Sequence, residues 1–583
     1  MSKQHTNTFG VAINGLPVPD HIASLLTEAQ VEESLNLPAA FSLRYRDPGR
    51  KVLEDLKVKI GSTLFIHVNH GEGRALIAGE VTALEAEHVG GDSHAVVRGR
   101  DYCHRLQRDR RTFSYRNMTY GDIAREIAKR ASLDVGEIED PGDVHEHVAQ
   151  FNQTDWYFLT GLAREVGYEI STLSGRLDFR PQRKVAGLGG ALGSLIYPKP
   201  ELAGGALRSF HVQVNSAQLA SMFLAQGWDI STKQVVSAEF AAQASNAKIS
   251  VTPYELANRF GSSLATAADV PYRTQAEVDA AAEAFAEQVS SSFAELEGVA
   301  DGDAKLRAGQ TVTLKDVGKP FDGDWVLTSV RHVYEPAGDG YTTEFAVSGA
   351  QERSLFGLAS GGKSNGRAGP PADPIHGVAT AIVRHVDDPE KMGRVKLAFP
   401  WLSDSYESDW ARVAQLDAGP LPRGACFLPE VKDEVLVSFD RGDFRHPIVI
   451  GSLFNGKDKP GLSDVVDSST GSVTHRWIAG HSTMLWFEDS PKEQQASLLA
   501  HRYESGRSSP VAEVRVDAKD AEAKLLAVGN TFIWGEKGVL VGSKRDALVQ
   551  ARRIVLKADS DIVIEAGGDV TIKGRKVKLN PPG

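Results

Sequence analysis

Cysteine is nearly absent: Cys103 and Cys426 are the only two, 323 positions apart. They cannot build a disulfide framework or a four-ligand zinc site, and both are expected to be core thiols. Long apolar runs are missing too. Nothing approaches the roughly 18 uninterrupted apolar residues of a membrane helix. The N-terminal MSKQHTNTFGVAINGLPVP has neither a basic cluster nor an apolar leader core. Membrane insertion and leader-directed export are therefore not expected. There is no excess of positive charge: the net charge of −11 argues against general nucleic-acid binding through counterion release and leaves only a local basic patch open. What is present is 583 residues, enough for about four domains at ~150 each. The 41% apolar and 24% charged residues are ordinary globular usage, while 56 Gly and 26 Pro point to a turn-rich, largely β chain. Disorder and collagen are excluded.

Short apolar runs cut by Gly and Pro fill residues 9 to about 105, including Leu64 to Val68, Ala75 to Ala78 and Ala95 to Val97, and read as a β-rich first module. Three helices are predicted. One starts at the Thr119–Asp122 cap and carries Ile123 and Ile127; one runs within Asn152 to Gly167 behind Thr154 and Asp155. The longest follows the Thr274/Glu277 capping box. Strand alternation returns from Thr311 to about Gln351. Residues 358–374 (LASGGKSNGRAGPPADP) have almost nothing to bury and mark the main boundary as an extended connector. Short strands then fill 375 to about 456.

The end of the chain is an internal repeat, which dictates architecture. In register it reads GVLVGSKR, DALVQAR, RIVLKADS, DIVIEAGG, DVTIKGR and KVKLNPPG, starting at 538, 546, 553, 561, 569 and 576. The second and fourth residues of each segment are apolar: Val539 and Val541, Ala547 and Val549, Ile554 and Leu556, Ile562 and Ile564, Val570 and Ile572, Val577 and Leu579. Alternation puts each pair on one face. A three-residue strand with one narrow apolar face cannot offset a chain-ordering cost of about 1–2 kcal/mol per residue, so another copy must cover it. A stacked β-helix or prism is the expectation, against an ordinary β-meander.

Three ordered blocks lie upstream: DDPEKMGRVKLAFPW (Asp387 to Trp401), SDWARVAQ (Ser408 to Gln415) and PEVKDEVLVSFDRGDFRHPIVIGSLFN (Pro429 to Asn455). Together they resemble the spike OB-fold of the VgrG and contractile-phage baseplate spike family. FNQTDWYFLTGLAREVGYEI (Phe151 to Ile170) is similar to a stretch of the hub region shared with phage late control protein D, and HSTMLWFEDS (His481 to Ser490) looks like the turn into the stalk. The resemblance implies a mainly β chain with helical insertions: a hub region of two barrel-like modules over 1–357, a linker over 358–374, an OB-fold spike base over 375–456, a β-rich neck over 457–537 and a trimeric β-helical needle over 538–583. It implies a homotrimeric, non-enzymatic spike that assembles in the cytoplasm within a contractile particle and is delivered outward on firing. Tube protein of Hcp type would dock on the hub, baseplate proteins around it, and a PAAR-type tip protein on Leu579, Asn580, Pro581, Pro582 and Gly583. Effector cargo would be a separate chain, since only four residues follow Leu579.

No cofactor, metal or catalytic residue is assigned. A phage-spike lysozyme domain does not fit the roughly 55 residues from Asn455 to Pro510, and an iron-binding His-x-His tip is not expected, because the only such pair, His145 and His147, precedes the needle by nearly 400 positions. Asp143, His145 and His147 could hold a metal if extended but read better as a polar loop. Arg441-Gly442-Asp443 spells an adhesion tripeptide yet should be a turn between two strands. Gly187 to Gly193 fails the dinucleotide fingerprint at Leu192 and reads as a flexible loop. Asp387 and Asp388 are adjacent and would not oppose each other across a sugar. An envelope-degrading enzyme on the same scaffold, lysozyme or glycosidase, is the rival expectation, and a receptor-binding fibre the third.

Overall fold

The computed structural model describes residues 9–68, 74–142, 144–182, 194–196, 206–268, 270–349, 375, 377–419, 423–461, 465–504 and 507–578. The 358–374 connector, the Gly187 to Gly193 loop, Asp143 and the last five residues lie outside them. The chain divides into two units, residues 1–458 and 459–583.

In the first unit, alternating burial along Phe9–Ile13, Leu26–Ser34, Leu37–Arg46 and Asp92–Asp101 directs every second side chain into a common core. These strands belong to an 11-stranded sheet that also takes in Leu207–Val214, Ala294–Asp301, Ser329–Glu335 and Gly340–Val347. The two halves of residues 9–349 expected as separate barrel-like modules are thus continuous through one ladder, joined where Leu26–Ser34 pairs antiparallel with Ser329–Glu335. Each half keeps its own core, one around Leu43, Ile66 and Val97, the other around Leu296, Trp325 and Val330. Arg307 fastens them: it pairs with Glu33 and donates to the Leu76 carbonyl at 2.8 Å.

All three predicted helices form. Tyr120–Arg130 opens on a capping box in which the Thr119 hydroxyl accepts from the Asp122 N–H at 3.1 Å. Asp155–Glu165 follows the Thr154 cap and ends before Gly167, whose φ of 67° a side chain would oppose. Gln275–Ser290, behind the Thr274/Glu277 box, is the longest helix among the described residues. The first two pack with Tyr168–Leu173 and Arg176–Pro181 around Ile123, Leu159 and Phe179, with Cys103 buried in the same core. Cys426 is exposed, contrary to expectation. It lies in residues 423–433, which form neither helix nor strand, so no regular face carries it inward. The polar-loop reading of His145 and His147 is also corrected: both lie in the strand His145–Thr154, paired antiparallel with Arg110–Met118.

His332 is the most telling buried titratable group of the hub sheet. Its Nδ1 lies 2.9 Å from the Tyr341 hydroxyl, and burial, with Arg307 nearby, pushes its pKa down to about 3. The unfolded chain therefore takes up a proton near pH ~6.5 while the folded one does not. The stability that this group contributes is complete above pH ~6.5 and falls as pH drops toward ~3. At pH ~5 the hub is expected to have lost about 2 kcal/mol from this group alone, and His332→Gln should flatten the decline in melting temperature between pH ~7 and ~5. An unchanged slope in the variant would refute the assignment.

Between Val378 and Ser452 five short strands form a sheet in the order Lys396–Ala398, Val378–His385, Glu434–Phe439, Pro447–Ser452, Arg412–Val413. Its two edges meet through the Val395–Ala411 bridge, with N–H···O distances of 2.9 and 2.7 Å in the two directions, which closes the sheet around Val383, Leu397, Phe399 and Val437.

In the second unit a short two-stranded ladder, Val466–Asp467 with Ser472–Val473, precedes an antiparallel meander of five strands, His475–Ala479, Thr483–Asp489, Gln494–Glu504, Arg507–Asp517 and Glu522–Ala527, each paired with the next. The segment read as the turn into a stalk is therefore the second strand of this neck sheet. Residues 529–578 form no helix or strand within the chain.

Candidate functional site

Two places in the chain combine unusual chemistry with position: the seam between the closed sheet and the hub, and the octads. At the seam, Ala149 and Phe151 leave the hub strand His145–Thr154 to enter the core of the closed sheet, where Phe151 stacks on Phe444 at 4.2 Å. Arg445, beside that ring, holds Asp443 through both of its carboxylate oxygens, with Nη2 to Oδ2 at 2.8 Å, and reaches Glu165 at the end of the Asp155–Glu165 helix at 2.9 Å. The other Glu165 oxygen accepts the Tyr120 hydroxyl at 2.6 Å. Burial alone would raise the Asp443 carboxyl, but Arg445 and His446 outweigh it and hold the group well below the usual carboxylate range. Burial likewise opposes the charge on Arg445, yet Asp443 and Glu165 keep it protonated far above its ordinary value.

A second clamp closes the other side. Glu407 accepts from Arg116 at 2.8 Å, with His385 at 3.4 Å and Lys396 at 3.8 Å. Its carbonyl accepts the Ser114 hydroxyl at 3.2 Å and lies 3.1 Å from the His147 ring nitrogen. His147 is thus engaged by protein, and His145 stacks on Tyr120 at 4.3 Å. Among the described residues no three His, Cys, Asp or Glu side chains converge as a metal site.

The Arg441-Gly442-Asp443 tripeptide is the turn between Glu434–Phe439 and Pro447–Ser452, with Arg441 at φ 50°. Its guanidinium donates to the carbonyls of Ala268 at 2.7 Å and Val270 at 2.9 Å, and Asp443 is held by Arg445, so both charged groups of the tripeptide are engaged within the chain. Asp388 is buried and accepts N–H bonds from Glu390, Met392 and Arg394 as well as the Arg394 side chain, whose hydrogen bonding brings its carboxyl down to about 2. Asp387 faces solvent, so the two carboxylates do not act on a common substrate.

None of these seam contacts is read from the sequence. A signal is nonetheless there: DFRH places a carboxylate and two bases within four residues of a strand start, and a charge at such a position needs a partner across the interface.

The octad residues stand apart from every other element of the second unit. Val539, Ile554, Ile562, Val570 and Val577, the second residue of five segments, keep a uniform 50–53% exposure, against 99% for Leu540 and 73% for Val563 at the third position. The fourth positions, Val541, Val549, Leu556, Ile564 and Ile572, stay at 65–81%, and Ala547 is exposed. Among the described residues, the chain therefore does not bring the eleven apolar residues of the octads together on its own. Leu579 and the tip residues Asn580 to Gly583 lie outside the described residues.

Residues 379–454 match the type VI secretion system/phage-baseplate injector OB domain. The actin cross-linking toxin VgrG1 of Vibrio cholerae is 30% identical over 220 residues, 34% of this chain and 19% of that protein. The matched stretches are thus similar to the OB domain and flanking parts of VgrG and contractile-phage spike proteins. Type VI secretion system spike protein VgrG3 of Vibrio cholerae is 35% identical over 121 residues, 19% of this chain and 12% of that relative. The chain spans less than a fifth of the length of these two VgrG relatives. The likeness of fold extends further than the likeness of sequence: a chain of the Francisella PdpA-VgrG complex in its lidded form gives a TM-score of 0.53 at 8% identity, over 89% of this chain and 80% of that one. A second family, the Alg8 N-terminal domain, matches residues 60–335, within the hub region.

Proposed function

We propose that this chain is the central hub and spike of a contractile injection apparatus, phage tail-like or type VI-like, a homotrimer that caps the inner tube and breaches the target envelope when the sheath contracts. The injector OB domain carries this reading. The domains divide as hub over 1–357, OB spike base over 375–456, neck over 457–537 and needle over 538–583. The octads fit a β-helical needle because their apolar pairs have no cover within one chain and three copies would supply it. The hub receives a ring of Hcp-like tube protein and baseplate subunits, a PAAR-type protein closes the tip, and any effector rides as separate cargo. Work is mechanical, so no bond chemistry is assigned to the chain. Assembly belongs to the cytoplasm and delivery is outward.

Purified full-length protein is expected to sediment at three chain masses and to release no soluble fragments from peptidoglycan or polysaccharide above buffer. A single-chain mass would overturn the spike. Saturable release abolished by one carboxylate substitution would instead establish the enzyme reading. Co-expression with a PAAR-type neighbour is expected to yield one cap per three chains.

A further inference from the structure

Residues 98–116 hold the local basic patch that the net charge left open. They carry seven arginines, no lysine and two acids, a local +5; since the whole chain is −11, the remainder is −16. Three of the seven are matched by carboxylates: Arg98 by Glu85, Arg105 by Glu80 and Arg116 by Glu407. The other four lie together at the start of the strand Arg110–Met118. Arg100 donates to the Gln107 side chain at 3.0 Å, next to Arg108 in the chain, and Arg110 donates to the Asn152 carbonyl at 3.4 Å. Arg111 stands 3.6 Å from Asp109 and 3.9 Å from Asp155, whose other oxygen accepts from Arg130 at 2.9 Å. Among the described residues the Arg108 side chain has neither an ion pair nor a hydrogen bond. Asp101 offers these groups nothing, because it is buried and accepts the Cys103 and Gly175 N–H groups.

The strand they lead into has a free edge. Arg110–Met118 pairs with His145–Thr154 on one side, and among the described residues no backbone group pairs with it on the other. Alternation gives the strand two faces. Ser114 and Arg116 turn to Glu407, and Arg110 shares their face. Arg111 and Phe113 share the opposite face with buried Tyr115, on which the Phe113 ring rests edge-on at 4.9 Å while staying 42% exposed. Charge on an edge strand commonly keeps other strands away, most often as lysine. Here every basic side chain is a guanidinium, whose planar fork matches a carboxylate through two bonds. Repulsion alone would not call for an exposed aromatic ring among them.

We infer that this edge takes up an extended acidic segment of a partner protein, added as a further strand beside Arg110–Met118, with carboxylates on Arg108 and Arg110 and an apolar side chain on Phe113. Charge complementarity chooses the occupant. Four guanidiniums without a close carboxylate of their own call for negative charge, while the −16 of the remaining chain repels a long polyanion such as nucleic acid, whose charge continues past the patch. A second copy pairing edge to edge would bring the same arginines against these and is repelled by them. A short acidic peptide segment meets neither obstacle. Exposed ion pairs are individually weak, so the backbone ladder holds the segment and the arginines decide which segment it is. Acidic and apolar residues in alternation satisfy both faces of the edge at once. The inference stands on the first unit alone and does not depend on the spike reading.

The probe is a fluorescein-labelled decapeptide of alternating Glu and Val, titrated with the full-length protein at low ionic strength and followed by anisotropy. Saturable binding is expected, and none for the Lys-Val counterpart. Arg108→Glu with Arg110→Glu should weaken binding at least tenfold; the milder Arg108→Gln with Arg110→Gln, and Phe113→Ser, should each weaken it several-fold. All of these side chains are exposed, so the melting temperature should stay at the parent's value. In an added strand, alternate N–H groups face the receptor edge, so N-methylation of every Val or of every Glu should abolish binding in one series and spare it in the other. An absence of saturable binding, binding unmoved by the arginine substitutions, or equal behaviour of the two methylated series would overturn the inference. A thymidine decanucleotide bound as tightly as the peptide would overturn it in favour of nucleic acid. Self-association of the protein abolished by Arg108→Glu with Arg110→Glu would overturn it in favour of a second copy. A protein that fails to sediment at three chain masses yet binds the peptide would overturn the spike and leave this inference standing.

Discussion

Aspartate at both Ile562 and Ile564 is expected to open the C-terminal region to protease, whereas aspartate at Val563 between them should be tolerated. In the proposed needle, alternation would place the first two on the inward face and the third outward. The needle carries nine Lys or Arg (Lys544, Arg545, Arg552, Arg553, Lys557, Lys573, Arg575, Lys576 and Lys578) against five acids (Asp546, Asp559, Asp561, Glu565 and Asp569), a net +4 against −15 for the rest of the chain. Identical basic strands repel, and exposed ion pairs add only about 0–1 kcal/mol each, so attraction must come from the inward apolar residues. The double variant would bury six carboxylates at neighbouring levels of a trimer, each at a cost of several kcal/mol after relaxation. The deciding readouts are mass by sedimentation or light scattering and proteolysis of residues beyond about 530. Equal cleavage of the inward and outward variants would sink the register and the needle with it.

Legibility followed locality. The caps at Thr119, Thr154 and Thr274 were readable because a hydroxyl and its backbone donors lie within three residues of each other. The ordered blocks of the OB domain were readable because strand and turn chemistry are written contiguously, and the Arg441 turn fell where those blocks put it. What stayed hidden was long-range. Joining of the two hub halves depends on pairing Leu26–Ser34 with Ser329–Glu335, some 300 residues apart, which no periodicity encodes. His147 read as loop because His-Glu-His-Val is polar at its start, yet hydrogen bonding to Arg110–Met118 and the Glu407 carbonyl holds it extended.

Arg445→Ala is expected to produce the largest loss in the first unit, about 3–5 kcal/mol at the seam, because it leaves Asp443 and Glu165 buried without their shared counter-charge. In the parent, Asp443 is held below its ordinary range, so its contribution is fully present above the unfolded value of about 3.9 and is lost only as pH falls below that. The variant reverses the sign. With the guanidinium gone, burial is the main influence on Asp443 and raises its carboxyl, so stability is greatest in acid and is lost as pH rises through the raised value. The variant should therefore melt closer to the parent at pH ~5.5 than at pH ~7.5, although the parent itself gains nothing from acid. Asp443→Asn added to Arg445→Ala should remove this inversion and recover part of the loss, because a neutral amide needs no counter-ion. Hydrogen exchange along Pro447–Ser452 and the Asp155–Glu165 helix would locate the opening. A pH dependence in Arg445→Ala that parallels the parent's would show that Asp443 is not held by this guanidinium.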